Sequence, residues 1–178
     1  MGQARGGPGA GGGDSGHRAL NPAALLGVLA AHRVEFVIIG GFALAPHGYV
    51  RATKDIDIVP APSPTNLARL AAALRDLKAE VDLGDLSLKE LGLAPDEAGL
   101  SAGGNWVLQT RHGRLDVMQD VPGVRSYDEL RAGAIEVAGA LYAGYDQLIA
   151  MKVSSGREED LRDVGALEAA RRPPEDER

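Results

Sequence analysis

Two carboxylates alternate with apolar residues in the segment Asp55-Ile56-Asp57-Ile58-Val59. Side chains alternate along a strand, so Asp55 and Asp57 are expected on one face and the isoleucines on the other. Neighbouring carboxylates on a buried strand repel each other and are costly to desolvate, so a cation is expected between them. Mg²⁺ (or Mn²⁺) takes oxygen ligands and is commonly held by carboxylates together with substrate phosphates. The alternative is a pair of acids that face water at a strand edge.

A glycine pair precedes these acids. The apolar, β-branched run 34–39 predicts a buried strand that ends at Gly40-Gly41, where a short helix or turn over 42–47 is expected to begin. Glycines allow a backbone to approach a ligand closely, and N–H groups at a helix start bind phosphate. Residues 42–54 give enough chain for a return into a neighbouring strand. The spacing therefore predicts a phosphate cradle beside a metal site, as phosphoryl or nucleotidyl transfer requires.

A third acid is expected from a later strand. Asp116, inside the apolar run 114–118, is the best candidate, with Asp120 as the alternative beside a Pro-Gly turn. Three carboxylates could hold two metal ions ~3.5–4 Å apart. One ion and Asp116 would then activate an attacking hydroxyl, and the other would orient a triphosphate. Asp116 could instead be a solvated hairpin residue.

Together these motifs resemble those of the DNA polymerase β-type nucleotidyltransferase superfamily, which has an apolar residue, Gly-Gly or Gly-Ser, Asp-x-Asp and a later third acid. Here they read Ile39-Gly40-Gly41, Asp55-Ile56-Asp57 and Asp116. The resemblance implies a metal-dependent enzyme with an NTP substrate and a mixed β-sheet flanked by helices. One departure is Gly41, where a serine would supply a hydroxyl.

The sequence of residues 40–57 also resembles small prokaryotic members of this superfamily, which include the AbiEii-type nucleotidyltransferase toxins. The resemblance lies in Gly40-Gly41-Phe42-Ala43 and in Arg51-Ala52-Thr53 before the acids. The segments 148–152 and 156–163 resemble the same branch. The resemblance implies that Lys152 contacts nucleotide phosphates and that Asp160 and Asp163 support the site. The alternatives are a snorkelling lysine, and acids that are only solvated or that pair with Arg157 and Arg162 at helical spacing. The predicted nucleotide-binding residues are Gly40, Gly41, Arg51, Thr53, Lys152, Asp160 and Asp163.

The surrounding elements predict an α/β or α+β fold. Helices are expected over 22–32, 64–77, 145–155 and 158–170, and strand pairs over 106–111 with 114–118 and over 135–137 with 140–142. Residues 80–103 read as an irregular loop or a short helix. One domain over 20–170 is expected, between a disordered Gly-rich tail at 1–19 and a frayed charged tail at 171–178. The GxGxxG match at 7–12 lies in that tail and is accidental.

Composition narrows the chemistry. The 178 residues include no cysteine, which excludes thiolate metal sites and disulfides and suits a reducing, cytoplasmic compartment. A formal net charge of −6 disfavours general nucleic-acid binding, and no apolar run is long enough to span a membrane. The histidines show no metal-ligand spacing and are expected to be structural.

Two functional hypotheses follow. The first is an enzyme that transfers NMP from an NTP to a hydroxyl of an RNA (tRNA), a protein or a small molecule such as an antibiotic. A toxin-like member would act with a cognate antitoxin. The second is a non-catalytic nucleotide-binding or partner-binding module.

Overall fold

A computed structural model describes residues 19–82 and 94–172. The helices are α1 (Pro22–Ala31), a 3₁₀ helix (Phe42–His47), α2 (Pro64–Asp76), α3 (Glu97–Ser101), α4 (Tyr127–Ala132), α5 (Tyr145–Ser155) and α6 (Glu158–Arg171). The strands are β1 (Phe36–Ile39), β2 (Asp55–Pro60), β3 (Glu80–Val81), β4 (Trp106–Thr110), β5 (Gly113–Val117), β6 (Ile135–Val137) and β7 (Ala140–Tyr142).

These strands form one mixed sheet in the order β3-β4-β5-β2-β1-β7-β6. The central strand β2 is antiparallel to β1 and parallel to β5, and β4 and β5 form an antiparallel hairpin. The predicted mixed sheet flanked by helices is confirmed. The parallel pairing of β2 with β5 brings two segments that are distant in sequence to one end of the sheet.

Burial along β2 follows the predicted alternation. Ile56 and Ile58 are fully buried, whereas Asp55 and Asp57 keep partial exposure. The core on the isoleucine side includes Leu25 of α1 and Leu70 of α2, both also fully buried. The acids therefore lie on the opposite face of the sheet, where α5, α6 and the 3₁₀ helix pack against one another.

The helix starts follow local capping chemistry. The Asn21 side chain accepts a hydrogen bond from the Ala24 amide at 3.1 Å, with Pro22 at the first helical position of α1. Ser63 caps α2 in the same way.

Three differences from the sequence predictions stand out. Strand β1 begins at Phe36 rather than at residue 34, because the turn after α1 continues through Arg33, whose φ is 55°. Helix α4, which Ser126 caps, was not predicted. Within 80–103, strand β3 was not predicted, whereas the short helix α3 agrees with one of the two predicted alternatives; residues 83–93 lie outside the described residues.

The tail predictions also lie largely outside the described residues, as does the GxGxxG match. Helix α6 extends to Arg171, one residue beyond its predicted end. Across the described ranges, no helix has the length and apolar character that a bilayer crossing needs.

Candidate active site

Three carboxylates meet on two neighbouring strands. Asp57 on β2 lies directly beside Asp116 on β5 in the parallel register, and Asp55 lies beside Arg114. Asp116 is only 7% exposed although it is an acidic residue. We call Asp55, Asp57 and Asp116 the carboxylate cluster. The structure therefore brings together the three acids that were predicted as catalytic and metal-binding.

Asp57 is the member most affected by its surroundings. Burial, together with the negative charges of Asp55 and Asp116, raises its pKa to about 7, although Arg114 and Arg157 act in the opposite direction. The raised pKa thus reflects a buried carboxyl group that has two acidic neighbours.

The glycine turn, Gly40-Gly41, lies against this cluster because Ile39 pairs with Asp57 across β1 and β2. Gly40 has a φ of 67°, and a Cβ atom at this position would overlap the Asp57 carboxylate. Glycine is therefore required twice here, for the backbone conformation and for the close approach.

Gly41 has a different neighbour. A Cβ atom added there would lie 3.1 Å from Arg51 Nη2 and 3.2 Å from Thr53 Oγ1. The missing side chain, noted above as a departure from Gly-Ser, leaves room for Arg51 and Thr53 to lie on the turn. The helix that follows is only a 3₁₀ helix of six residues with Pro46 inside it. Phosphate contact at this turn would therefore depend on the backbone and on Arg51 rather than on a helix dipole.

Thr53 contacts the cluster directly. Its Oγ1 donates to Asp55, with distances of 2.9 Å to Oδ1 and 3.2 Å to the backbone oxygen. This hydroxyl fixes the orientation of the Asp55 carboxylate, a role the sequence analysis did not assign to it.

Arg114 is a site residue that the sequence analysis missed. Its Nε and Nη2 donate to the two oxygens of Asp116 at 2.9 and 2.8 Å, and Nε lies 3.8 Å from Asp55 Oδ2. Hydrogen bonding to Asp116 raises the pKa of Arg114 above its usual value. The available signal was the spacing, because residues two apart on a strand share a face.

The carboxylate cluster fits a divalent cation by its donor atoms, all of them oxygens, and by the presence of two further acids beside Asp57. Among the described residues, however, no group of three or more His, Asp or Glu side chains is arranged to hold a metal ion. Arg114 already bonds to both oxygens of Asp116, so a metal ion would have to use the remaining lone pairs of that carboxylate. Asp120, the alternative third acid, is an exposed residue whose backbone bonds to Asn105.

A buried ionic network closes the other side of the site. Lys152 Nζ on α5 donates to Asp160 Oδ1 at 2.9 Å and to Asp163 Oδ2 at 2.7 Å, and all three residues are at most 4% exposed. Asp163 also accepts both Nε and Nη2 of Arg51, at 2.9 and 3.0 Å. The acids of α6 thus hold Lys152 and Arg51 in place.

Asp160 has further partners. Arg157 Nε and Ser155 Oγ both donate to its Oδ2 at 2.6 Å. Burial by itself would raise the pKa of Asp160, but the hydrogen bonds from Ser155, Lys152 and Arg157 lower it to about 2. The pKa of Asp163 is lowered in the same manner, with the bonds from Arg51 and Lys152 outweighing burial. The predicted alternative, pairing of α6 acids with nearby arginines, therefore occurs at Asp160, whereas Arg162 pairs with Glu158.

The glycine turn, the carboxylate cluster and part of this network surround one cleft of ≈ 710 Å³. Asp163, beneath Arg51 and Lys152, is the one predicted site residue that does not line it. The basic residues that line the cleft are Arg51, Lys54, Arg114, Lys152 and Arg157. His47 and His32 lie elsewhere, bonded to the Ala143 carbonyl and to Asp76.

No protein-family model and no curated protein sequence matches the chain. The solved structures that resemble it in fold include two of ANT(2'')-Ia. The crystal structure of ANT(2'')-Ia in complex with adenylyl-2''-tobramycin has 14% sequence identity and a TM-score of 0.49, over 83% of this chain and 90% of that one. The solution structure of the antibiotic-resistance factor ANT(2'')-Ia has 17% identity and a TM-score of 0.46, over 84% and 88%. At these values the likeness assigns no function to this chain.

Proposed function

We propose that the protein is a metal-dependent nucleotidyltransferase that transfers NMP from an NTP to an acceptor hydroxyl. The observation that carries the proposal is the carboxylate cluster beside the glycine turn. Three acids from two strands converge where a glycine is required for close backbone approach. A divalent cation held by Asp55, Asp57 and Asp116, Mg²⁺ or Mn²⁺, would supply charge neutralisation for the phosphates and for the leaving group.

The proposed reaction is a displacement at the α-phosphorus of the NTP. The acceptor oxygen forms a new bond to that phosphorus, the bond to the α–β bridging oxygen breaks, and pyrophosphate leaves. The hydroxyl proton passes to a carboxylate oxygen of Asp116. Both oxygens of Asp116 accept hydrogen bonds from Arg114, and each keeps a further lone pair that can take the proton.

The nucleotide-binding roles divide between two sides of the cleft. Gly40 and Gly41 offer backbone N–H groups to phosphate, and Thr53 holds Asp55 in orientation. Arg51 lies on the glycine turn, so it is better placed than Lys152 to contact a phosphate group. The amine of Lys152 is already shared between Asp160 and Asp163, so these three residues would support the site chiefly by holding Arg51 and α6.

The acceptor can be identified by following the transfer of label from NTP to candidate molecules. The full chain would be incubated with MgCl₂ or MnCl₂, each of the four α-labelled NTPs and three acceptor sets: tRNA, a mixture of proteins, and hydroxyl-bearing antibiotics. We expect label to enter one set and pyrophosphate to form in equal amount. Asp57→Asn should abolish transfer, whereas Glu136→Gln, an exposed acid on β6, should retain it. Full activity of Asp57→Asn would overturn the assignment.

A second candidate is a nucleotide-binding module without catalysis. The observation that favours it is the bidentate hydrogen bonding of Arg114 to Asp116, which places a positive charge beside the third acid and takes up part of its capacity to bind a metal ion or a proton. Tight NTP binding, with no label transferred to any acceptor set and no pyrophosphate released, would select this candidate.

A further inference from the structure

We infer that Lys54 binds the triphosphate of the NTP and is the residue that draws this polyanion into the cleft. The inference rests on the proposed function and adds to it a residue with no assigned role. It follows from comparing the partners of the five basic residues that line the cleft.

Four of the five are already neutralised by carboxylates of the chain. Arg51 bonds to Asp163 and pairs with Glu159 at 2.9 Å. Lys152 lies between two buried acids. Arg157 and Arg114 are each bonded to one, at 2.6 Å and at 2.8–2.9 Å. Each of these four charges is already balanced by a carboxylate, so none of them offers a net positive charge to a ligand.

Lys54 differs from them in exposure and in pairing. It is exposed, it lines the cleft, and within the residues that the structure describes no carboxylate lies at ion-pair distance from its amine. Its charge is therefore available to a ligand. A lysine amine is a compact point charge on a flexible four-carbon stem, so it can follow a phosphate chain over several ångströms.

The position of Lys54 in the chain selects the triphosphate as its ligand. It lies between Thr53, whose hydroxyl approaches Gly41, and Asp55 of the carboxylate cluster. Phosphates that contact the glycine turn would therefore pass close to this side chain. A triphosphate that approaches three carboxylates also meets like charge, and an unpaired cation at the entrance reduces that repulsion.

The test compares equilibrium binding by calorimetry for the wild type, Lys54→Ala, Lys54→Arg and a charge-matched control. The probes are the Mg²⁺ complexes of ATP, GTP, CTP and UTP, and the matching monophosphates. The control is Arg75→Ala, which removes an exposed positive charge from α2 outside the cleft. Melting curves check that each variant is folded.

We expect Lys54→Ala to weaken binding of the preferred NTP roughly tenfold, the scale of one hydrogen bond to a charged group. Monophosphate binding should change little, and the dependence of NTP affinity on salt should become shallower. Lys54→Arg should restore most of the affinity, and Arg75→Ala should match the wild type.

The outcomes separate the two levels of the proposal. If the wild type binds an NTP and transfers label, but Lys54→Ala binds that NTP equally well, the role of Lys54 is wrong and the proposed function stands. Equal losses for the monophosphate and the NTP would also contradict a triphosphate contact. If the wild type binds no NTP, the proposed function fails and the role of Lys54 fails with it.

Discussion

Gly40 lies at a position where the surroundings leave no room for a side chain. Gly40→Ala would place a methyl group on the Asp57 carboxylate at a φ of 67°. We expect a loss of about 1–3 kcal/mol in the free energy of unfolding, from backbone strain and displacement of Asp57, together with loss of transfer. Chemical denaturation measures the first effect and the label assay the second.

Gly27 provides the matched control, since it lies inside α1 with nothing within 4 Å of an added Cβ. Gly27→Ala should stabilise the protein by about 0.5–1 kcal/mol. A Gly40→Ala variant as stable as the wild type would show that the turn and Asp57 are not in contact in solution.

The raised pKa of Asp57 leads us to expect an unusual dependence of stability on pH. Its folded pKa of about 7 exceeds the usual value of 3.8, so the folded state binds more protons between these pH values. Stability should therefore fall as pH rises from 4 to 7, through this residue alone. Asp57→Asn removes the free-energy cost of ionising this carboxyl group in the folded state, which is on the order of 2–4 kcal/mol above pH 7.

Urea titrations in EDTA at pH 4 and pH 8 would measure this difference. The Asn variant should match the wild type at pH 4 and exceed it at pH 8. Equal stability of the variant and the wild type at both pH values would mean that folding does not raise the pKa of Asp57.

We expect Arg114 to affect both the stability of the protein and the extent to which a metal ion stabilises it. Arg114→Gln leaves Asp116, which is 7% exposed, without two charge-assisted hydrogen bonds. We expect a loss of about 1–3 kcal/mol in EDTA, less than for a fully buried pair because Arg114 is partly exposed. Added MgCl₂ should then raise the melting temperature more in the variant than in the wild type.

The control for this variant is Arg125→Gln, which removes the exposed pair with Glu129 and should change neither measurement. An Arg114→Gln protein with wild-type stability in EDTA would contradict the bidentate contact.

At the scale of elements, α6 is joined to the cleft by buried charges rather than by an apolar stripe alone. Asp163 is 1% exposed and bonds to both Arg51 and Lys152. The Asp163→Asn substitution leaves these two cations with a neutral and therefore weaker partner. We expect a loss of about 3 kcal/mol by denaturant titration. Glu159→Gln breaks only the exposed part of the network and should cost no more than about 0.5 kcal/mol. Similar values for the two variants would show that the buried network contributes no more than its exposed rim.

The sequence predicted the elements that carry strong local patterns. The alternation of Asp55 to Ile58 predicted both strand and facing, and Asn21-Pro22 predicted the start of α1. Helix α4 was missed because its six residues are too few to show a period. Arg114 was missed because its partner depends on which neighbouring acid its side chain reaches. Such a choice between partners is made by the folded environment and not by spacing.

At the scale of the whole molecule, the site is assembled from segments that are far apart in the chain. The turn at 40–41, the acids at 55–57, Asp116 and the network at 152–163 meet through the parallel pairing of β2 with β5 and the return of α6 to the 3₁₀ helix. Contacts of such sequence separation form slowly, because loop closure must precede them. The cleft is therefore a property of the complete sheet and its closing helices.

The contact between Arg51 and Asp163 also makes α6 a remote reporter of the cleft. Any ligand that immobilises Arg51 on the glycine turn also restrains Asp163, and with it the local openings that expose the amides of α6 to solvent. Hydrogen–deuterium exchange followed by mass spectrometry should therefore show slower exchange over 158–171 when an NTP is added. The effect should be absent in Arg51→Ala. Occupancy of the cleft would then be visible in a helix at the opposite end of the sequence, before any acceptor is known.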